Sequence, residues 1–231
     1  MAGLGGGAAS AALLGGAGGA EALERPRRGR APHPKTPTGA LRALQAGNKR
    51  SRTGKLQLRD YSPAGARPAA EQMPFAAIIT CADSRISPEL VFDVERGNLF
   101  VSRIAGNTID TGTLGSTEYA VAALGVKLVM VLGHSDCGAV KAAIEVANGK
   151  KSYPVGKYGA IGKVVDHVVG PVSSVPPDQR SLQRCISVNA RSQASRLAKR
   201  DPIVAPAIAA GKLRVVAAVY DIANGRVSVI P

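Results

Sequence analysis

The chain has 231 residues, enough for one α/β domain with a substantial core plus a tail. Apolar residues make up 45% and aromatic residues 3%, with no Trp, so the core is built from Val, Ile, Leu and Ala, as suits a parallel sheet under small-residue helices. Three cysteines are too few for a disulfide framework, and the net charge of +14 comes without an aromatic stacking platform, which argues against a specific nucleic-acid partner.

The charge is uneven. Residues 1–70 hold 12 Lys/Arg against 3 Asp/Glu, a net of +9, and the remainder holds 18 against 13, a net of +5. The excess therefore sits in the leader and first helix, where it reads as a solvated basic tail, the alternative being an anionic partner surface. Residues 2–20 carry no charge and are mostly Ala and Gly. Two readings stay open for them. One is a disordered leader. The other is the apolar part of a truncated export signal, with Ala20-Glu21-Ala22 as a small-x-small cleavage site. Met1 has no basic residues behind it, and Arg27-Arg28 lie on the wrong side for a twin-arginine signal. The compartment is thus undecided between cytoplasm and export. The stretch is too Gly-rich for a transmembrane span.

Residues 1–35 are read as leader and linker, and 36–231 as the folded unit. Thr36-Pro37 opens a helix, with Thr36 as N-cap and Pro37 in the first turn. It is predicted to run to about Ala46, with Leu41, Leu44 and Gln45 near one face and Gly47 as its stop. Residues 48–74 are polar, basic and broken by Pro63, Pro68 and Pro74, so an N-terminal helical arm and an extended loop are expected.

Ala76-Ala77-Ile78-Ile79-Thr80 reads as a buried strand, followed by a turn and a helix over 87–95 with Pro88 near its start. Asn98–Ile104 reads as a second strand, and Ala105-Gly106-Asn107 as a turn. Residues 112–125 form a helix whose apolar side is predicted from Leu114, Tyr119, Val121, Ala122 and Leu124. Lys127–Leu132 is a third strand, and Gly138–Asn148 a small-residue helix. Val164–Val169 reads as a helix closed by Gly170-Pro171, followed by a long helix from Ser181 to about Arg200 and a short one over 202–210. Leu213–Tyr220 is a fourth strand, with Asn224-Gly225 turning into a hairpin partner at Arg226–Ile230. Repeated strand-then-helix units specify an α/β fold with a largely parallel β-sheet flanked by helices.

Chemistry collects at two strand ends. Cys81-Ala82-Asp83-Ser84-Arg85 follows the first core strand, and His134-Ser135-Asp136-Cys137-Gly138 follows the third. In a parallel sheet both lie at the carboxyl edge, where ligands bind. Two thiols and an imidazole make a zinc set with one position left for water, which is the pattern of a catalytic site. The competing reading makes Cys81 and Cys137 buried apolar residues, but both fall where strands end rather than within them. Asp83 and Arg85 are a carboxylate–guanidinium dyad beside that set, or else a structural ion pair. Gly138 opens a helix there, so its N–H is a candidate anion donor. Asp136 reads as a solvated or capping residue, Cys185 as a core residue, and His167 as structural rather than a proton shuttle. Gly106 has a turn or close-approach reading that needs no chemistry.

These two motifs, with Leu44–Arg50, Gly97-Asn98-Leu99-Phe100-Val101 and Ala105-Gly106-Asn107, resemble the β-class carbonic anhydrase family over roughly residues 36–231. The resemblance implies a zinc enzyme interconverting carbon dioxide and bicarbonate, a carbonate dehydratase. It implies Cys81, His134 and Cys137 as metal ligands and Asp83 and Arg85 as the catalytic dyad. It also implies a homodimer or an oligomer built of dimers. In some family members the equivalent aspartate moves onto the metal, so Asp83 is also the expected fourth ligand of a closed state. Ser51 and Ile104 depart from residues common in the family, and without Trp the chain lacks one residue of the bicarbonate-regulated subgroup's second site. Two other functions remain open on these motifs: hydrolysis of carbonyl sulfide or carbon disulfide, and a non-catalytic zinc-binding sensor.

Overall fold

Five short runs make one sheet: β1 (Ala76–Thr80), β2 (Leu99–Arg103), β3 (Leu128–His134), β4 (Arg214–Tyr220) and β5 (Val227–Ile230). They are seen in a computed structural model that describes residues 33–57, 59 and 72–231. The spatial order is β2-β1-β3-β4-β5. β1 pairs in parallel with β2 and β3, β3 in parallel with β4, and β5 closes the sheet antiparallel to β4. β1 and β3 are buried along their whole length, which is why both read as unbroken apolar runs. β1 connects to β2 on one side, while β3 leads on to β4 on the other. The gap between β1 and β3 is therefore the switch point of the sheet, the place where such folds form a crevice.

Eight helices are seen among the described residues: α1 (Pro37–Arg52), α2 (Pro88–Val91), α3 (Thr111–Ala122), α4 (Gly138–Ala147), α5 (Val155–Tyr158), α6 (Ile161–Ser173), α7 (Leu182–Arg200) and α8 (Val204–Ala209). Alternation along the strands feeds two cores. Ile78, Met130 and Leu132 pack with Leu44, Phe92, Val140, Val168 and Ile186 on one face. Ala77, Ile79, Val129 and Val131 pack with Ala190, Leu197 and Val204 on the other. No described helix is long and apolar enough to cross a membrane. The expected leader lies outside the described residues except for 33–35, as does much of the loop expected over 48–74.

Helix α1 starts as predicted, with the Thr36 hydroxyl accepting from Gly39 N–H at 3.1 Å. It does not stop at Gly47 but runs on to Arg52. Gly47 serves a close approach instead: a Cβ there would lie 1.7 Å from the Phe92 carbonyl oxygen. The buried stripe is Ala40, Leu41, Leu44, Gly47 and Asn48, and Gln45 is exposed. Asn48 spans three segments. Its Nδ2 donates to Val91 O at 3.0 Å and to Gly225 O at 2.8 Å, and its Oδ1 accepts from Val227 N–H at 2.9 Å.

Two other helices depart from their sequence patterns. In α3 the buried residues are Thr113, Thr117 and Ala120, while Tyr119 is half exposed. Thr117 is tolerated inside because its hydroxyl donates to Thr113 O at 2.8 Å. Helix α6 passes through Gly170-Pro171 rather than ending there. Pro171 has no N–H to offer the carbonyl of residue 167, and Gln193 Nε2 from α7 takes that carbonyl at 3.3 Å. The remaining elements fall within a few residues of their predicted limits, apart from α2, which is one turn, and α5, which the sequence did not predict.

Candidate metal centre

Parallel register brings the two motifs together. Thr80 is opposite Leu132, so Cys81 leaves β1 beside Gly133, and His134 ends β3 one residue further on. The turn Ser135-Asp136 then delivers Cys137 to the start of α4, with Asp136 in the left-handed region at φ 62°. The Ser135 hydroxyl holds that turn by accepting from Ile222 N–H at 2.9 Å, and Ser135 N–H donates to Tyr220 O at 2.8 Å.

The donor atoms of Cys81, His134 and Cys137 lie within 4.8 Å of one another, and all three residues are buried. His134 Nδ1 is 2.9 Å from the Ser135 carbonyl oxygen, which makes Nδ1 the protonated nitrogen. Its Nε2 is buried and has no hydrogen-bond partner among the described residues. A fully buried imidazole lone pair without a donor is costly, and a soft divalent cation satisfies it directly. Two thiols and that lone pair therefore fit zinc in donor type and number.

The thiols are already polarised. Cys137 donates to Cys81, which holds the Cys81 thiol down at about 4 against the opposing effect of burial. Gly106 N–H also donates to Cys81 Sγ, at 3.3 Å. The same pairing pushes Cys137 up, reinforced by burial, while the N–H groups of Ala139 and Val140 at the start of α4 pull it back. Gly106 is thus more than a turn residue. At φ 73° it presents its N–H to the sulfur, and a Cβ there would meet Val168 Cγ2 at 2.9 Å. Asn189 of α7 fixes this turn by donating to Gly106 O at 2.8 Å.

Asp83 and Arg85 form the expected pair in a two-pronged geometry. Arg85 Nε and backbone N–H reach Asp83 Oδ1 at 2.9 and 3.0 Å, and Nη2 reaches Oδ2 at 2.7 Å. This pairing holds the Asp83 carboxyl well below the usual carboxylate range. Arg85 Nη1 also lies 3.5 Å from Asp136 Oδ2, and Lys141 pairs with the other oxygen of Asp136. Asp136 is accordingly a solvated ion-pair residue, as read from the sequence. Gly138 is the first residue of α4, adjacent to Cys137.

Cys185 is buried on α7, in keeping with its core reading. His167 is exposed on α6, so the apolar stretch around it does not enclose it. Sequence reasoning missed Arg103, Ser135 and Asn189. Each acts through main-chain carbonyl or amide groups, which leave no residue-type signature beyond a polar side chain near a strand end.

The family model described as carbonic anhydrase matches residues 76–227. Carbonic anhydrase 2 of Mycobacterium tuberculosis is 38% identical over 200 residues, covering 82% of this chain and 91% of its own length. The carbonic anhydrase of Mycolicibacterium smegmatis is 34% identical over 195 residues, covering 83% of this chain and 92% of its own. Among solved structures, the β-carbonic anhydrase CcaA superposes with a TM-score of 0.59 at 28% identity, over 70% of this chain and 81% of that one. A tetrameric β-carbonic anhydrase from Sordaria macrospora gives 0.59 at 26% identity, over 70% and 83%.

Proposed function

From the premise that this chain belongs to the β-class carbonic anhydrase family, a family of lyases whose general reaction is carbon dioxide hydration, we propose that it carries out that reaction with zinc held by Cys81, His134 and Cys137. The observation that carries the zinc assignment is the convergence of two thiols on a buried imidazole nitrogen that has no other partner. Bound zinc supplies a Lewis acid that makes water nucleophilic near neutral pH.

The protein's own groups do the rest. Ser135 O holds the His134 tautomer that leaves Nε2 as the donor. Gly106 N–H and the first N–H groups of α4 stabilise the two sulfurs as thiolates. Asp83, kept ionised by Arg85, accepts a hydrogen bond from the attacking water and orients its lone pair toward carbon dioxide. With both carboxylate oxygens engaged by Arg85, this geometry supports an open centre in which Asp83 is not a ligand. Gly138 opens α4 next to Cys137, and in this reading its N–H holds the bicarbonate anion.

A homodimer is part of the same reading. Among the described residues no strand pairs with the outer edge of β2. Leu90 on α2, beside that strand, is 57% exposed, and Tyr119 on α3, whose ring lies 6.3 Å from that of Phe100 on β2 at a tilt of 47°, is 50% exposed. An open edge flanked by apolar side chains supports pairing with a second copy.

The test is to purify the protein without chelator, measure zinc per chain and follow carbon dioxide hydration by stopped flow across pH. The expected result is one zinc per chain with rapid hydration, both lost in Cys81→Ser and Cys137→Ser. Zinc without hydration at any pH would overturn the reaction and favour a sulfur-containing triatomic substrate or a sensor. Absence of zinc would overturn the ligand assignment.

A further inference from the structure

Apart from Gly106 in the turn after β2 and Asn189 behind it, the groups assigned so far come from β1, β3 and their following turns, but the strand β2 itself also reaches the centre. Its last residue, Arg103, is opposite Thr80, the residue before Cys81. The guanidinium does not pair with a carboxylate among the described residues. It folds over the loop after β1 instead: Nη2 donates to Asp83 O at 2.6 Å, and Nε lies 3.3 Å from Cys81 O. These carbonyls belong to the residue that supplies a thiolate and the residue that supplies the dyad carboxylate. Of the loop's other ties, Gly106 N–H reaches the Cys81 sulfur and Arg85 lies beside Asp136, and neither touches the loop's main-chain carbonyls. Ile86 N–H donates to Asp83 O at 3.1 Å, and Arg85 N–H is spent on the Asp83 side chain.

We propose that Arg103 is a positioning residue for the reaction assigned above. Its planar fork fixes the Cys81 and Asp83 peptides relative to each other, and so sets the separation between metal ligand and dyad. The inference rests on that functional reading. A guanidinium carries donors in a fixed plane, and an ammonium does not, so lysine would retain the charge and at most one of the two contacts. Groups that orient ligands from outside typically change metal affinity or turnover by about 10–100-fold when removed. The position also ties the site to the open edge strand, since the residue that braces the loop sits at the end of β2.

The experiment uses Arg103→Met, which keeps the aliphatic stem, and Arg103→Lys, which keeps the charge. Cobalt(II) is the spectroscopic probe in place of zinc. With both variants folded by circular dichroism, Arg103→Met is expected to bind cobalt about 10-fold or more weakly, with a changed visible band. In its zinc form kcat should fall about 10–100-fold with KM little altered, and Arg103→Lys should recover only part of each change. Wild-type cobalt affinity, spectrum and kcat in Arg103→Met would overturn the proposal. Should that variant fail to fold, a folded Arg103→Lys with wild-type spectrum and kcat would overturn it equally. A wild-type protein that binds cobalt but does not hydrate carbon dioxide counts against the reaction, and the cobalt measurements still decide the role of Arg103.

Discussion

Asp83 and Asp93 are both gripped by arginine, and they have opposite consequences. Asp93, with 1% of its side chain exposed, faces two guanidinia: Arg50 on one carboxylate oxygen and Arg59 on the other. Both arginines also donate to its backbone carbonyl, and Gln57 N–H adds a bond at 3.2 Å. Every acceptor direction is used, so the carboxylate is sealed and acts as a staple between α1, the segment after it and the loop after α2. Asp83 is 17% exposed, and its partner Arg85 is 45% exposed on the same loop, two residues away. That pair is local and wet, so opening it costs far less than breaking a buried one. Breaking a buried pair costs about 3–5 kcal/mol. The same two chemical groups therefore give a fixed joint in one place and an accessible hydrogen-bond acceptor in the other, and burial decides which.

The largest expected effect separates the two on activity. Asp83→Asn should retain zinc and fold while losing about 10²–10⁴ in kcat. The sign with pH follows from the lowered carboxyl of Asp83. Its contribution to stability is present above the unfolded value of about 4 and disappears only as pH falls through the still lower folded value. Asp83 is thus ionised wherever the enzyme works, and the Asn variant should stay impaired from about pH 6 to 9 rather than catch up. Full activity of the variant at neutral pH would remove the dyad from the mechanism.

Next comes stability. Asp93→Ala should cost about 3–5 kcal/mol in denaturant unfolding, because it leaves two converging guanidinia unpaired. Turnover per folded molecule should change little. A loss of kcat without loss of stability would erase the distinction drawn here. Arg59→Ala should cost less, about 1–3 kcal/mol, since Arg50 remains on the carboxylate.

The smallest effect concerns a buried carboxylate that has no arginine. Asp201 caps α8 through Oδ1, with Val204 N–H at 2.6 Å, but its Oδ2 has no hydrogen-bond partner among the described residues. Glu118 faces it from α3, and partial burial together with that second carboxylate raises the Glu118 carboxyl. A raised carboxyl costs stability when ionised, so stability is gained as pH falls through the folded value toward about 4.3. Glu118→Gln, which supplies a donor for the orphaned oxygen, should raise Tm slightly at neutral pH. The gain should vanish below about pH 4.

What could be read from the sequence follows the same division. Cys81, Asp83 and Arg85 lie within one turn, and His134 and Cys137 within another, so residue type and strand ends were enough to place them together. The parallel sheet was legible because β1 and β3 are buried on both faces and carry no polar break. The Asp93 staple was not legible, because its arginines come from 34 and 43 residues upstream. Nor were the ends of α1 and α6. Gly47 and Pro171 read as stops, and each is accommodated by a distant group, the Phe92 carbonyl in one case and the Gln193 amide in the other. The buried Thr117 of α3 was missed for a related reason: a hydroxyl bonded back to its own helix buries as readily as an alkyl group.

Asn48 has a consequence for how the chain is made. Its amide joins α1 to residues 177 and 179 positions later, at the turn into the last strand. During synthesis α1 leaves the ribosome well before its partners, and its buried amide waits while the 177 and 179 positions between them are translated. The Gly225 and Val227 contacts of Asn48 can form only once residues 225–227 have themselves emerged. Until then the face of α1 that carries Leu44 and Asn48 is a candidate for chaperone capture, and truncations of the final hairpin should leave it so.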